Sequence, residues 1–199
     1  AIGRDPTFAL ASANLAMALQ AAPGIVAGIG RLTIMSATVY GRGNTTPAAE
    51  FNIFADPEAA AVVFAAAIDT VVVPWEPCVS HCIPGSDVDA LFASVPDSEY
   101  KTFSQALASH ARKTLAGRGK GDWLRFVDPF AAAVVVDPSI VTKSLRASVE
   151  VALAPGLTRG MTVVDPSGRL GAPPVTVVEE AKLDRLAAMY ARSIAYSCN

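Results

Sequence analysis

The sequence predicts an α/β fold in which a mostly parallel, open, doubly wound sheet is flanked by helices. Two observations carry this prediction. Short β-branched segments alternate along the chain with longer segments rich in alanine and leucine, and Asp-Pro pairs stand before several of the longer segments. Strand and helix in alternation favour parallel pairing, because a parallel connection needs a crossover that a helix supplies.

The strands are predicted from β-branched composition, which suits a buried, pleated surface. They cover residues 32–35, 70–73, 148–151 and 175–178. Helices are predicted between them, over residues 14–22, 57–66, 103–115, 130–136 and 179–196. In the last of these, Leu183, Leu186, Ala187 and Tyr190 recur at helical spacing and form one apolar stripe.

The Asp-Pro pairs at 5–6, 56–57, 128–129, 137–138 and 165–166 predict helix starts, because Asp caps a helix and Pro is tolerated in its first turn. Residues 84–100, by contrast, carry glycine, serine, proline and aspartate and predict an exposed insertion or lid. In a parallel sheet, ligands bind beyond the carboxyl ends of the strands. The chemistry is therefore expected just after residues 35 and 73, and at strand-to-helix turns such as Val127-Asp128.

Composition excludes several classes of protein. The chain has 199 residues, is 52% hydrophobic and 17% charged, and has a net charge of −2. Such a chain can bury a real core, so it is not disordered, and it lacks the cationic surplus that phosphate contacts require. The uncharged stretch between Asp5 and Arg31 is broken by Pro23 and Gly24, which argues against a membrane span. No nucleic-acid or membrane partner is expected.

The most informative stretch runs from Gly43 to Glu58, just after the first predicted strand. It places Asn44, Glu50 and Asn52 within nine residues. Two amides and a carboxylate offer the donors and acceptors that sugar hydroxyls need. From the residues alone, the alternative is that both asparagines are turn residues and that Glu50 is solvated.

This stretch resembles the signature G-N-x-T-P-x-A-E-F-N-x-x-x-D-P-E-A of the inosine/uridine-preferring nucleoside hydrolase family. Further segments are similar to the family in order and spacing, at residues 10–19, 32–35, 127–131 and 157–165. The resemblance covers nearly the whole chain. It implies the nucleoside hydrolase fold and Ca²⁺-dependent hydrolysis of the N-glycosidic bond of ribonucleosides, which yields ribose and the free base.

The resemblance also implies roles for individual residues. Asp128 would ligate Ca²⁺, together with the backbone carbonyl at Ala13. The residues that would hold the ribose are Met35, Asn44, Glu50 and Asn52, with Glu50 and Asn52 also serving catalysis. Physical chemistry agrees, since Ca²⁺ prefers oxygen ligands and a carboxylate near the ring stabilises an oxocarbenium-like transition state. Members of the family are commonly cytoplasmic homo-oligomers with a small-molecule ribonucleoside substrate.

Two departures from the family pattern stand out. The family's aspartate-rich motif, D-x-D-x-G-x-D-D, supplies the general base and most Ca²⁺ carboxylates, and these 199 residues do not contain it. We therefore expect residues 1–199 to form a single domain that lacks its first strands. Val127 stands where several members carry a histidine that protonates the leaving base, and valine has no proton to give. Trp75 and Glu76 are candidates for contacts with the base, and Tyr40 and His81 are weaker alternatives.

Three functions remain open at this point. The first is nucleoside hydrolysis. The second is a catalytically inactive nucleoside- or ribose-binding fragment or pseudoenzyme, because the catalytic aspartate is missing. The third is a structural remnant of the fold, whose exposed sheet edge would promote aggregation.

Overall fold

The computed structural model describes residues 7–8 and 12–196. The strands are β1 (Thr7–Phe8), β2 (Leu32–Met35), β3 (Thr70–Val73), β4 (Cys82–Pro84), β5 (Trp123–Arg125), β6 (Val141–Val151), β7 (Thr162–Asp165) and β8 (Pro174–Ala181). The helices are α1 (Ser12–Ala21), α2 (Phe51–Ala55), α3 (Pro57–Ala65), α4 (Trp75–Ser80), α5 (Gly85–Ser94), α6 (Glu99–Gly117), α7 (Asp128–Val136) and α8 (Leu183–Ile194). Short 3₁₀ turns follow α1 and α7.

Six strands form the main sheet in the order β1-β2-β3-β8-β6-β7. The first four are parallel to one another, whereas β6 runs antiparallel to β8 and β7 antiparallel to β6. The mostly parallel α/β class is therefore confirmed. Met35 pairs with Val73 at the ends of β2 and β3, so both strands end at the same edge of the sheet.

Both faces of the parallel part are buried. Leu32 and Ile34 point into one core beneath α1 and α3, whereas Met35 and Val73 join a second core with α5, α7 and α8. This alternation follows from the two-residue period of a strand. Because helices cover both sides, the strands can be almost continuously apolar.

A two-stranded antiparallel ribbon of β4 and β5 lies outside the main sheet. The ribbon packs against α5, and β5 also packs against α6. Along β5 and the residue after it, Leu124 and Phe126 are buried in the core. The intervening residues are therefore free to face the other way.

The prediction of an exposed insertion or lid at residues 84–100 is wrong. Most of it is α5, whose Val88 and Phe92 are only 1% and 3% exposed. The two side chains are four residues apart, so they lie on one helical face and bury together in the second core. The polar residues at the start of the segment belong to the first turn of a helix rather than to a loop.

The C-terminal helix also begins later than expected. Residues 174–181 continue as β8, because they pair with the long strand β6, and α8 starts only at Leu183. Among the described residues, no helix is both long and apolar enough to cross a bilayer.

Only some of the Asp-Pro pairs start helices. Asp56 caps α3 by accepting a hydrogen bond from the amide of Ala59 at 2.9 Å, and Asp137 caps a 3₁₀ turn. Asp165 instead caps a turn after β7. Asp128 lies one residue inside α7, because Val127 occupies the cap position. The pair at 5–6 lies outside the described residues.

Candidate functional site

The candidate site lies at the edge where β2 and β3 end. Just beyond the strands, the amide of Ser36 donates to the carbonyl of Val73 at 3.2 Å, and the amide of Trp75 donates to the carbonyl of Ala37 at 3.0 Å. These bonds hold the two strand-to-loop transitions side by side. The loop that follows β2 carries the Gly43–Glu58 motif across this edge.

Ala37 has a left-handed backbone conformation, with φ of 76°. It is 2% exposed, and it is the one non-glycine residue of the described chain in that conformation. An alanine held there stores about 1 kcal/mol of strain. The turn aims the Ala37 amide at Glu50, whose pKa that amide helps to lower, while its carbonyl accepts from Trp75.

Glu50 is the most deeply buried carboxylate of the site, at 2% exposed. It caps α2, since Oε2 accepts from the amides of Asn52 at 2.9 Å and Ile53 at 3.3 Å. Asn44 Nδ2 lies 3.4 Å from Oε1. Burial raises the pKa of Glu50, and these hydrogen bonds oppose that rise only in part.

The remaining predicted ribose residues are adjacent to Glu50. Asn44 Oδ1 accepts from the amide of Phe51 at 2.7 Å. Asn52 Nδ2 donates to the Met35 carbonyl at 3.0 Å and lies 3.5 Å from the Met35 sulfur. The structure thus brings the four residues together. Gly43 makes the loop possible, because a Cβ there would overlap the carbonyl oxygens of Thr46 and Ala49.

Asp128 reaches the same region from the start of α7, a helix that packs on β2 and β3. Its side chain is exposed at the surface, yet partial desolvation by the surrounding protein raises its pKa. The buried thiol of Cys78 shows how the acids converge, since the charges of Asp128, Glu50 and Glu76 all raise its pKa. Carboxylates from three separate segments therefore lie close enough to Cys78 to affect its pKa.

These residues do not make a calcium site by themselves. Ca²⁺ takes six to eight oxygen ligands, and the proposed pair would be the Asp128 carboxylate and the carbonyl of Ala13 on α1. Within residues 7–8 and 12–196, no three His, Cys, Asp or Glu side chains are grouped so that they could hold a metal ion. Further oxygen ligands would have to come from outside this set.

Trp75 and Glu76 begin α4 and have different surroundings. Trp75 is half-buried, with the guanidinium carbon of Arg125 5.6 Å from its ring centroid. Glu76 Oε1 accepts from the amides of Val39 at 2.8 Å and Tyr40 at 3.0 Å. Its second oxygen is buried and has no hydrogen-bond partner in the described structure. Glu76 thus holds the loop that leads to the Gly43–Glu58 motif.

His81 lies away from the site and is not a surface residue. It is 9% exposed, and its Nδ1 lies 2.8 Å from the carbonyl of Pro77. Its Nε2 lies 2.9 Å from the carbonyl and 3.1 Å from the amide nitrogen of Ala181. The ring packs on Phe130. These contacts connect α4 to β8 and give His81 a structural role.

An open cavity of about 870 Å³ adjoins Asn44 and Trp75. Its other walls are the β5 ribbon and one face of α6, and the side chains that line it include Phe51, Val79, His110, Thr114, Leu115, Arg118, Lys120, Trp123, Arg125 and Val127. Sequence reasoning missed the α6 and β5 residues. The helical spacing of 110, 111, 114, 115 and 118 was the available signal. A second, apolar groove of about 450 Å³ between α7 and α8 includes none of the predicted site residues.

The chain resembles known proteins over most of its length. The sequence profile of the inosine-uridine preferring nucleoside hydrolases matches residues 11–188. The non-specific ribonucleoside hydrolase RihC of Shigella boydii is 38% identical over 161 residues, covering 80% of this chain and 50% of that protein. The inosine-uridine preferring nucleoside hydrolase of Leishmania major is 31% identical over 162 residues, covering 76% and 47%. The chain thus spans about half the length of these curated relatives.

Solved structures agree. A plant nucleoside hydrolase superposes with a TM-score of 0.87 at 25% identity, covering 96% of this chain and 62% of that one. A purine-preferring ribonucleoside hydrolase from Gardnerella vaginalis shares the fold, with a TM-score of 0.80 at 24% identity and coverage of 96% and 60%. The profile, the relatives and the shared fold show together that this chain belongs to the inosine-uridine preferring nucleoside hydrolase family.

Proposed function

We propose that the protein hydrolyses the N-glycosidic bond of ribonucleosides to give ribose and the free base. One observation carries the proposal. The buried carboxylate of Glu50 lies among Asn44, Asn52 and Met35, at the sheet edge where α/β folds bind ligands, beside a cavity with aromatic walls. The names of the relatives support the same reaction.

In this proposal, the amides and Glu50 hold the ribose hydroxyls. As the bond to the base breaks, positive charge develops on the ring, and a nearby carboxylate stabilises it. Burial makes Glu50 effective, because a charge acts more strongly where water is excluded. The capping bonds from Asn52 and Ile53 fix its position before the substrate arrives. The base would occupy the cavity beside Trp75, one of the two candidates for contact with the base.

Members of the family are in general metal-dependent, and we propose Ca²⁺ as the metal. Asp128 and the carbonyl of Ala13 would contribute two ligands, and the metal would orient the ribose and the attacking water. The described residues alone do not complete this site, so the proposal requires oxygen ligands from other residues of the protein. The same lack supports a second candidate, a nucleoside-binding protein without hydrolytic activity.

One experiment separates the two candidates. The protein at its full natural length is incubated with uridine or inosine, with Ca²⁺ or with a chelator, and released ribose is measured by a reducing-sugar assay. The proposal predicts release that needs Ca²⁺ and that is lost in Glu50→Gln but kept in Glu180→Gln, an exposed control on β8. Nucleoside binding without ribose release in Ca²⁺ would instead establish the binding protein.

We further propose that residues 1–199 belong to one nucleoside hydrolase domain, and that the protein works as a cytoplasmic homo-oligomer. The family resemblance supports these statements. Light scattering coupled to gel filtration measures the oligomeric state, and a monomer at working concentration would contradict it.

A further inference from the structure

One part of the cavity wall is basic. Four basic side chains line it: His110, Arg118, Lys120 and Arg125. Among the described residues that line this cavity there is no aspartate or glutamate. A cavity with one sign of charge concentrates and stabilises groups of the opposite sign. The wall is therefore suited to an anion, or to a group that gains negative charge during a reaction.

The geometry of β5 brings one of these cations close to the family's acid position. Trp123, Arg125 and Val127 all line the cavity, while Leu124 and Phe126 are buried in the core. Arg125, the last residue of β5, therefore lines the same cavity as Val127, two residues later in the chain. Val127 stands where the resemblance places a proton donor, and Arg125 is the nearest cation to it in sequence.

Arg125 is also held in place and free to act. Its guanidinium lies over the ring of Trp75, a contact that orients the group without using its N–H donors. Among the described ion pairs and hydrogen bonds, none joins Arg125 to a carboxylate. Its charge reaches the centre of the site, because it lowers the pKa of Cys78 while Glu50 and Asp128 raise it.

We propose that Arg125 stabilises the negative charge that the departing nucleobase acquires, in place of a proton donor at position 127. This inference rests on the proposed hydrolysis. When the C1′–N bond breaks, both bonding electrons go to the base nitrogen and C1′ becomes cationic. Water adds to C1′ and releases one proton to solvent. The base anion pairs with the Arg125 guanidinium, keeps its plane against Trp75, and takes up a proton from solvent as it leaves.

Leaving-group assistance by Arg125 should matter most for bases that leave poorly as anions. A leaving group that is already a stable anion should need Arg125 little.

Two substrates test this in the protein at its full natural length. Uridine requires stabilisation of the departing base, whereas p-nitrophenyl β-D-ribofuranoside releases a stable phenolate. Arg125→Gln is expected to lower kcat/KM for uridine about 100-fold and for the nitrophenyl riboside less than about fivefold. Arg169→Gln, on an exposed turn outside the cavity, should change neither. An equal loss on both substrates, or no loss on uridine, would overturn the proposal.

A binding measurement keeps the outcome independent of turnover. In mildly alkaline buffer 5-nitrouracil is an anion and uracil is neutral, and quenching of Trp75 and Trp123 fluorescence reports their binding. The wild-type protein should bind the anion at least about tenfold more tightly, and Arg125→Gln should abolish the difference. If the wild type hydrolyses neither substrate, the proposed function fails. Loss of the anion preference in Arg125→Gln would still support Arg125 as the binding group for a planar anion, and an unchanged preference would overturn it.

Discussion

Nη2 of Arg159 lies 2.8 Å and 2.9 Å from the two carboxylate oxygens of Glu58, a residue 101 positions earlier in the chain. Nη1 of the same arginine donates to the carbonyl of Leu153 at 2.7 Å. Glu58 lies in the first turn of α3, at the end of the Gly43–Glu58 motif, and Arg159 precedes β7. This pair therefore joins two segments of family-like sequence that are far apart in the chain.

The pair predicts a pH-dependent contribution to stability. The hydrogen bond from Arg159 lowers the pKa of Glu58 below its usual 4.5. A carboxylate with a lowered folded-state pKa contributes stability above its unfolded pKa and loses it as the pH falls through the folded value. Thermal unfolding of Glu58→Gln should therefore begin below that of the native protein at neutral pH and converge with it under strong acid. The difference should be small, since both side chains are partly exposed.

Glu150→Gln, on the exposed side of β6, is the matched control. It removes a carboxylate that has no arginine partner among the described ion pairs, and it should show no such convergence. A Glu58→Gln difference that is the same at acidic and neutral pH would exclude the ion pair as its cause.

Glu50→Gln should separate catalysis from stability. Under the proposed function, we expect ribose release to fall about 100-fold or more, because the variant loses the charge proposed to stabilise the transition state. Burial raises the pKa of Glu50 in the folded state above its usual 4.5. Ionisation of Glu50 therefore lowers the stability of the fold as the pH rises from 4.5 through the folded-state pKa. Removing that charge should leave the unfolding midpoint at neutral pH within about 3 °C of the native protein. Activity assays and thermal melts on the same samples measure both; a collapse of the fold would contradict the second part.

The free energy of unfolding should depend on the size and branching of the side chain at position 37. Ala37→Val introduces a β-branched side chain at positive φ and overfills a buried position, so it should lower the free energy of unfolding by about 2 kcal/mol or more. Ala37→Gly relieves strain but loses a buried methyl and gains unfolded-state freedom, so its effect should stay within about 1 kcal/mol. Urea titration measures both. A well-tolerated valine would mean that the turn is not constrained.

Substitution of the two histidines should affect the stability of the fold to different extents. His81→Ala should destabilise the protein by about 3 kcal/mol. The substitution leaves the amide of Ala181 without its acceptor and opens a packing gap beside Phe130. His110→Ala should leave the free energy of unfolding almost unchanged, since the residue is exposed on α6. Denaturant melts settle the comparison, and equal destabilisation by both variants would contradict it. Nucleoside binding should respond only to His110.

Local pattern predicted the parallel strands and most helices, and it failed where tertiary pairing decides. Residues 32–35 and 70–73 are strands as expected, because their β-branched runs fill a buried sheet. The start of the last helix was wrong, since pairing with β6 extends β8 to Ala181. The site residues Asn44, Glu50 and Asn52 could be predicted because they are near one another in sequence. Arg125 and His110 could not be predicted, since only the packing of β5 and α6 brings them to the cavity.

The two walls of the cavity belong to different parts of the fold. Asn44 belongs to the loop that follows β2 of the main sheet, whereas β5 and α6 supply other lining residues. Substitutions on β5 or α6 are therefore expected to change what the cavity accepts while the hydrogen bonds among Asn44, Glu50 and Asn52 stay intact. One side of the cavity can thus vary in sequence without disturbing the other.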